Sequence, residues 1–113
     1  MTSRSRTTID RPMRKKSQAL APIPPGEVLH EEFMKPHGLS ANRLARDLDV
    51  PPGRISQILR GRRIMTADTA LRLSRYFGTS PQFWLNLQTE FDLRVAQRSA
   101  GAVVEARVRP LAG

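Results

Sequence analysis

The chain has 113 residues, 19 Lys plus Arg against 10 Asp plus Glu for a formal net charge of +9, no cysteine and one tryptophan. That length suits one small domain with tails, and the missing cysteines exclude a disulfide framework or a thiolate metal site and suit a reducing cytoplasm. No stretch of about eighteen apolar residues offers a membrane span, and the excess positive charge makes nucleic acid the natural partner.

Residues 1–24 carry Arg4, Arg6, Arg11, Arg14, Lys15 and Lys16 against Asp10, with almost nothing apolar before Leu20. Such a composition cannot bury a core and predicts a disordered basic arm. Pro12, Pro22, Pro24 and Pro25 argue against a secretion signal, and Met13 is a second candidate for the initiating residue. A helical domain is expected over 25–98, in five segments separated by their punctuation. Helix one, 26–35, has Glu27 in its first turn and Leu29 and Phe33 on its inner face, with Pro36 and Gly38 closing it. Ser40 caps helix two, 41–48, whose Leu44, Ala45 and Leu48 form a buried stripe opposite Asn42, Arg43 and Arg46.

The run Val50-Pro51-Pro52-Gly53 breaks the chain, and helix three follows over 52–60 with Ile55, Ile58 and Leu59 inward and Gly61 as its stop. Thr66 caps helix four, 67–77, with Ala67, Ala70, Leu71, Ser74 and Phe77 on one side. Ser80-Pro81 starts helix five, 81–97, where Trp84, Leu87, Phe91 and Val95 form one stripe and Phe83, Leu85 and Leu93 lie partly off it. So wide an apolar surface predicts a second client, and a two-fold homodimer through Phe83, Trp84, Leu87, Phe91 and Val95 is the expectation. Trp84 and Phe91 suit the core ahead of the dimer face. The tail 99–113 alternates Val104, Ala106 and Val108 with charged residues in strand fashion and reads as a flexible or short-strand extension, with a frayed helix also open. The fold class is all-α.

Two short helices around a sharp break, the second polar and basic on its outer face, have the layout of a helix-turn-helix. The second helix of such a unit enters the major groove while the first crosses the phosphates. That makes helix three the reader. Arg54 and Arg60 suit guanine and Gln57 suits adenine, whereas Ser40, Asn42, Arg43, Ser56, Arg62 and Arg63 suit phosphates. From 43 to 63 there are six Arg against Asp47 and Asp49. Because Pro51, Pro52 and Gly53 put no long side chain in the first turn, the backbone N–H groups of Gly53 and Arg54 are expected to face a phosphate.

The stretch from Leu39-Ser40-Ala41-Asn42-Arg43-Leu44-Ala45 through Val50-Pro51-Pro52-Gly53-Arg54-Ile55-Ser56-Gln57-Ile58-Leu59-Arg60-Gly61 resembles the XRE, or lambda-repressor-like, DNA-binding domain. Pro24-Pro25-Gly26-Glu27-Val28-Leu29, Glu31-Glu32-Phe33 and above all Ser80-Pro81-Gln82-Phe83-Trp84-Leu85-Asn86-Leu87-Gln88 are similar to the HigA, or VapI-type, branch. The resemblance implies a five-helix fold and a homodimeric type II antitoxin. Such a protein represses its own operon at a palindromic operator and neutralises a HigB-like ribonuclease toxin. A stand-alone regulator of the same fold without a toxin is the alternative. The arm 1–24 lies outside the resemblance and suits a solubilising tail, a minor-groove arm or a segment that folds on the toxin.

No enzyme, cofactor or small-molecule substrate is expected. His30, Glu31 and His37 suggest a metal site, but the histidines are too far apart for two ligands on one helical turn, and Pro36 and Gly38 fall at the second. Ser40, Ser56 and Ser74 have no His and Asp arrangement beside them, and no glycine-rich phosphate loop occurs. A single-stranded RNA reader would stack bases on exposed aromatics, for which only Tyr76 qualifies.

Overall fold

The computed structural model describes residues 21–112 of the chain, which form five helices without a strand among them. The expected disorder of the arm concerns 1–20 in the main, which lie outside the described residues. The first helix, α1, changes pitch as it runs: an α-helical turn over Pro25–Val28, a π-helical segment over Leu29–Met34 and a 3-10 turn over Lys35–His37. Pro36 therefore does not end it. A proline ring clashes with the carbonyl four residues back in a regular helix, and the wider turns ahead of Pro36 give that ring room. The end comes at Gly38, whose φ of 63° no side chain would favour.

The other helices are α2 over Ala41–Leu48, α3 over Pro52–Leu59, α4 over Ala67–Phe77 and α5 over Pro81–Arg107. Ser40, Thr66 and Ser80 cap α2, α4 and α5 by accepting a backbone N–H three residues on. The stop after α3 has two reciprocal bonds: Gly61 N–H donates to the Ile58 carbonyl at 3.1 Å and Arg62 N–H to the Gln57 carbonyl at 2.8 Å.

Leu29, Met34, Leu44, Ala45, Leu48, Val50, Ile55, Ile58, Met65, Ala70, Leu73 and Trp84 form the core. On α4 the buried stripe is Thr69, Ala70 and Leu73, and Leu71, expected inside, is 59% exposed. Both registers satisfy helical spacing around Ala70, and the packing of α4 on α5 selects one. Phe33, Phe77, Phe83 and Trp84 join α1, α4 and α5 in one aromatic cluster, with the Phe33 and Trp84 rings 4.8 Å apart. Trp84 is wholly buried and its indole N–H donates to Thr79 Oγ1 at 2.7 Å. It is therefore core and not available to a second copy.

The sequence reading of the C-terminus needs correction. α5 continues ten residues beyond the expected end at 97, through Arg107, so the segment 99–107 is neither flexible tail nor strand. Ala96, Ala100, Ala102 and Ala106 are strong helix formers and outweigh the alternating valines. The break comes at Val108, extended at φ −102° and ψ 116°, two residues ahead of Pro110. Among the described residues no helix is long and apolar enough to cross a membrane.

Candidate nucleic-acid interface

The break between α2 and α3 is a three-residue turn, Asp49 to Pro51. Asp49 adopts φ 59° and ends α2 in the left-handed region, where a short polar side chain is tolerated. Val50 N–H donates back to the Ala45 carbonyl and Val50 itself is buried, so the turn is anchored from within. Pro51, extended at φ −60° and ψ 144°, then feeds Pro52 into the first turn of α3, where a fixed φ and a missing N–H cost nothing. Ile55 and Ile58 fasten the inner face of α3 to the core, and Gly53, Gln57 and Arg60 are left on its exposed face.

Gly26 brings α1 against α3. A Cβ at that position would fall on the Ile58 carbonyl oxygen and 2.9 Å from the Leu59 Cα, so the helices meet backbone to backbone. From the sequence Gly26 marks only the start of α1. Its second role needs the fold.

Side-chain ties from α4 fix the turn and both of its helices. Asp68 Oδ2 accepts from Arg54 Nη1 at 2.6 Å and from Arg72 Nε at 3.0 Å. Arg72 Nη1 donates in turn to the Leu48 and Asp49 carbonyls at 2.9 and 3.1 Å, two acceptors at the end of α2 that no helical N–H reaches. The two guanidiniums, Arg72 before Arg54, hold the Asp68 carboxyl below its ordinary value. Asp47 is tied the same way. Its Oδ2 accepts from Tyr76 Oη at 2.6 Å and Arg43 Nε at 3.2 Å, and the Tyr76 hydrogen bond is the main cause of its lowered pKa. The same bond raises that of Tyr76.

These ties change the expected site. Arg54 does not extend from the reading face; its guanidinium is turned to Asp68 and its Nε is buried without a partner. Its backbone N–H is also occupied, donating to the Pro51 carbonyl at 3.0 Å, so of the two amides expected to face a phosphate only that of Gly53 remains. Ser40 Oγ accepts from the Arg43 N–H, and Ser56 Oγ donates to the Gly53 carbonyl, so both hydroxyls already serve the backbone. Gln57 Oε1 accepts from Arg63 Nη1 at 3.5 Å, which joins an expected base reader to an expected phosphate ligand. Asn42, Arg43, Arg60, Arg62 and Arg63 are all exposed. The side chains of Arg60 and Arg62 have no partner among the described residues. Of the residues assigned to a dimer face, Phe83 and Leu87 pack partly against the core, Phe91 is half-buried and Val95 is exposed. His30 and His37 serve separate local bonds, to Glu31 and to the Phe33 carbonyl.

Asp68, Arg72, Tyr76 and Gly26 hold the helices of the candidate site together, and the sequence reading gave none of them that part. An i, i+4 acid-base pair on α4 is visible at 68 and 72, but its reach to α2 and α3 is not.

The fold agrees with that of known proteins. Residues 31–84 match the helix-turn-helix family. Virulence-associated protein I of Dichelobacter nodosus is 54% identical over 81 residues, 72% of this chain and 75% of that protein. Among solved structures, an addiction module antidote protein of a HigA family from Coxiella burnetii superimposes with a TM-score of 0.77 at 48% identity, covering 80% of this chain and 99% of that one. Antitoxin HigA of Pseudomonas aeruginosa, solved with the higBA promoter, gives 0.77 at 44% identity over 80% of this chain and 98% of its own.

Proposed function

This chain belongs to the HigA (VapI-type) family of helix-turn-helix DNA-binding proteins, and from that premise we propose that it is the antitoxin and autorepressor of a type II toxin-antitoxin operon. It binds a palindromic operator as a homodimer, with two copies of α3 in successive major grooves about 34 Å apart. The observation that carries the reading is the exposed edge of α3: Gln57 and Arg60 point away from a core that fixes the helix from behind, flanked by Arg62 and Arg63. Gln57 and Arg60 read base edges; Asn42, Arg43, Arg62, Arg63 and the Gly53 N–H hold phosphates. Arg54, tied to Asp68, does not keep the base-reading part the sequence suggests, whereas Trp84 serves the core, the first of the two parts its position suggests.

The homodimer forms along α5, through Leu87, Phe91 and Val95. Its protein partner is a HigB-like ribonuclease toxin, in keeping with the naming of its relatives, and it acts in the cytoplasm without catalysing a reaction.

The test is a titration at one near-physiological salt concentration against the duplex immediately upstream of the chain's own gene and against scrambled duplex of equal length. Specific binding tighter by about a thousandfold or more is expected; equal, salt-sensitive binding to both would overturn the DNA reading. Growth rescue on co-expression with the adjacent small reading frame tests the toxin, and a lone gene would leave a stand-alone regulator.

A further inference from the structure

Arg54 sits on the helix proposed above to read DNA, carries the side chain best suited to guanine, and is withheld from that face by a residue of another helix. The single oxygen Oδ2 of Asp68 accepts from both Arg54 and Arg72, and Arg72 grips the Leu48 and Asp49 carbonyls with its other end. One carboxylate in the first turn of α4 is thus connected to α3 through Arg54 and to the end of α2 through Arg72. The angle between α2 and α3 decides whether α3 can lie in the groove while α2 crosses the phosphates. We infer that Asp68 is a positioning residue for sequence reading: it sets the α2–α3 angle through Arg72 and keeps the Arg54 charge off the DNA, so that Gln57 and Arg60 choose the sequence.

Two features set this apart from an ordinary surface ion pair, which contributes little. The Arg54 side chain is mostly buried, its Nε wholly so, and its charge is therefore desolvated enough to depend on Asp68 as countercharge. The Leu48 and Asp49 carbonyls border the turn itself, so the grip acts where the two helices are joined. The inference rests on the DNA reading proposed above, and the experiment separates the two.

Wild type, Asp68→Asn and Asp68→Glu are titrated against the upstream duplex and the scrambled duplex across a range of salt concentrations. In Asp68→Asn both arginines lose their countercharge. Affinity for scrambled DNA is expected to be kept or to rise, with the salt dependence steeper by about one unit of slope as Arg54 gains a phosphate. The preference for the upstream duplex is expected to fall by about tenfold or more, the worth of one good base contact. Asp68→Glu, which keeps the charge, is expected to restore most of that preference. A merely structural role would lower the folded fraction, weakening binding to both duplexes by one factor with the slope unchanged, and that result would overturn the inference. So would an unaltered preference in Asp68→Asn. Wild-type protein that fails to discriminate would overturn the DNA reading and this inference with it. If Asp68→Asn does not fold, Arg72→Lys serves instead: it keeps the charge and loses the two-carbonyl grip. Its preference is expected to fall at constant slope, and an unchanged preference overturns the inference.

Discussion

α3 is a helix of eight residues fastened from behind, whereas the last part of α5, from Val95 to Arg107, is exposed at every position but the half-buried Gly101. Behind α3 stand Ile55 and Ile58, the close approach of Gly26 and the Arg54–Asp68 tie; its outer face is polar and cationic. The far part of α5 presents Val95, Val103 and Val104 at 42%, 57% and 52% exposure. A helix held rigidly with a polar face suits a ligand that must be met at fixed geometry, and groove reading makes that demand. Exposed valines on a helix without internal partners suit contact with another apolar surface, where area matters more than angle. On the reading proposed above, recognition that needs precision and association that does not fall to different helices.

The largest way to break this contrast is at the root of α5. Trp84→Ala removes the center of the aromatic cluster and is expected to cost about 3–5 kcal/mol by denaturant titration. Val95→Ala, at the start of the far part, should leave monomer stability within about 0.5 kcal/mol. If α5 pairs with a second copy, that change appears in the sedimentation-derived dissociation constant alone. Gly26→Ala tests the other seam. Alanine is the better helix former by at most about 1 kcal/mol, yet the new methyl would meet backbone atoms of Ile58 and Leu59 that cannot swing aside. Overpacking should win, with a net loss of about 1–3 kcal/mol.

On the reading edge the contrast is between contacts that choose and contacts that hold. Gln57→Ala should cost about 1–3 kcal/mol on the upstream duplex and little on scrambled DNA. Arg62→Ala should weaken both alike and flatten the salt dependence by about one unit of slope. Two variants that behave identically would remove the division of labour between α3 and the loop after it.

The parts of this architecture that depend on neighbours in the chain were legible from it. Ser40, Thr66 and Ser80 cap where cap chemistry predicts, and Gly38, Gly61 and Gly78 have the positive φ that ends a helix. The residues that depend on packing were not. Leu71 and Leu73 offer two helical registers that periodicity cannot separate. The end of α5 misled because Val104, Ala106 and Val108 alternate with charged residues as a strand would, while the helix continues through them to Arg107. Arg54 shows the limit most sharply: its position on α3 is readable, but the carboxylate that redirects it lies fourteen residues away on another helix.

The smallest expected effect concerns the second tie between α4 and α2. Tyr76 is 37% exposed, and its hydroxyl donates to Asp47 at 2.6 Å beside the Arg43 pair. The bond needs Asp47 ionised and Tyr76 protonated, and each state reinforces the other: the Asp47 pKa lies below its ordinary 3.8 and that of Tyr76 above its ordinary 10.0. A lowered folded-state pKa contributes stability that is present above the unfolded value and lost as pH falls through the folded one. A raised one contributes stability that is present below the unfolded value and lost as pH rises through the folded one. Tyr76→Phe is therefore expected to lower Tm slightly across the neutral range, with the difference from wild type shrinking below pH 3.8 and again above pH 10.0. Thermal melts of both proteins at acid, neutral and alkaline pH measure it. A difference that stays constant with pH would assign the loss to packing of the Tyr76 ring on Phe77, and would leave the Asp68 cluster as the charged tie that matters for the turn.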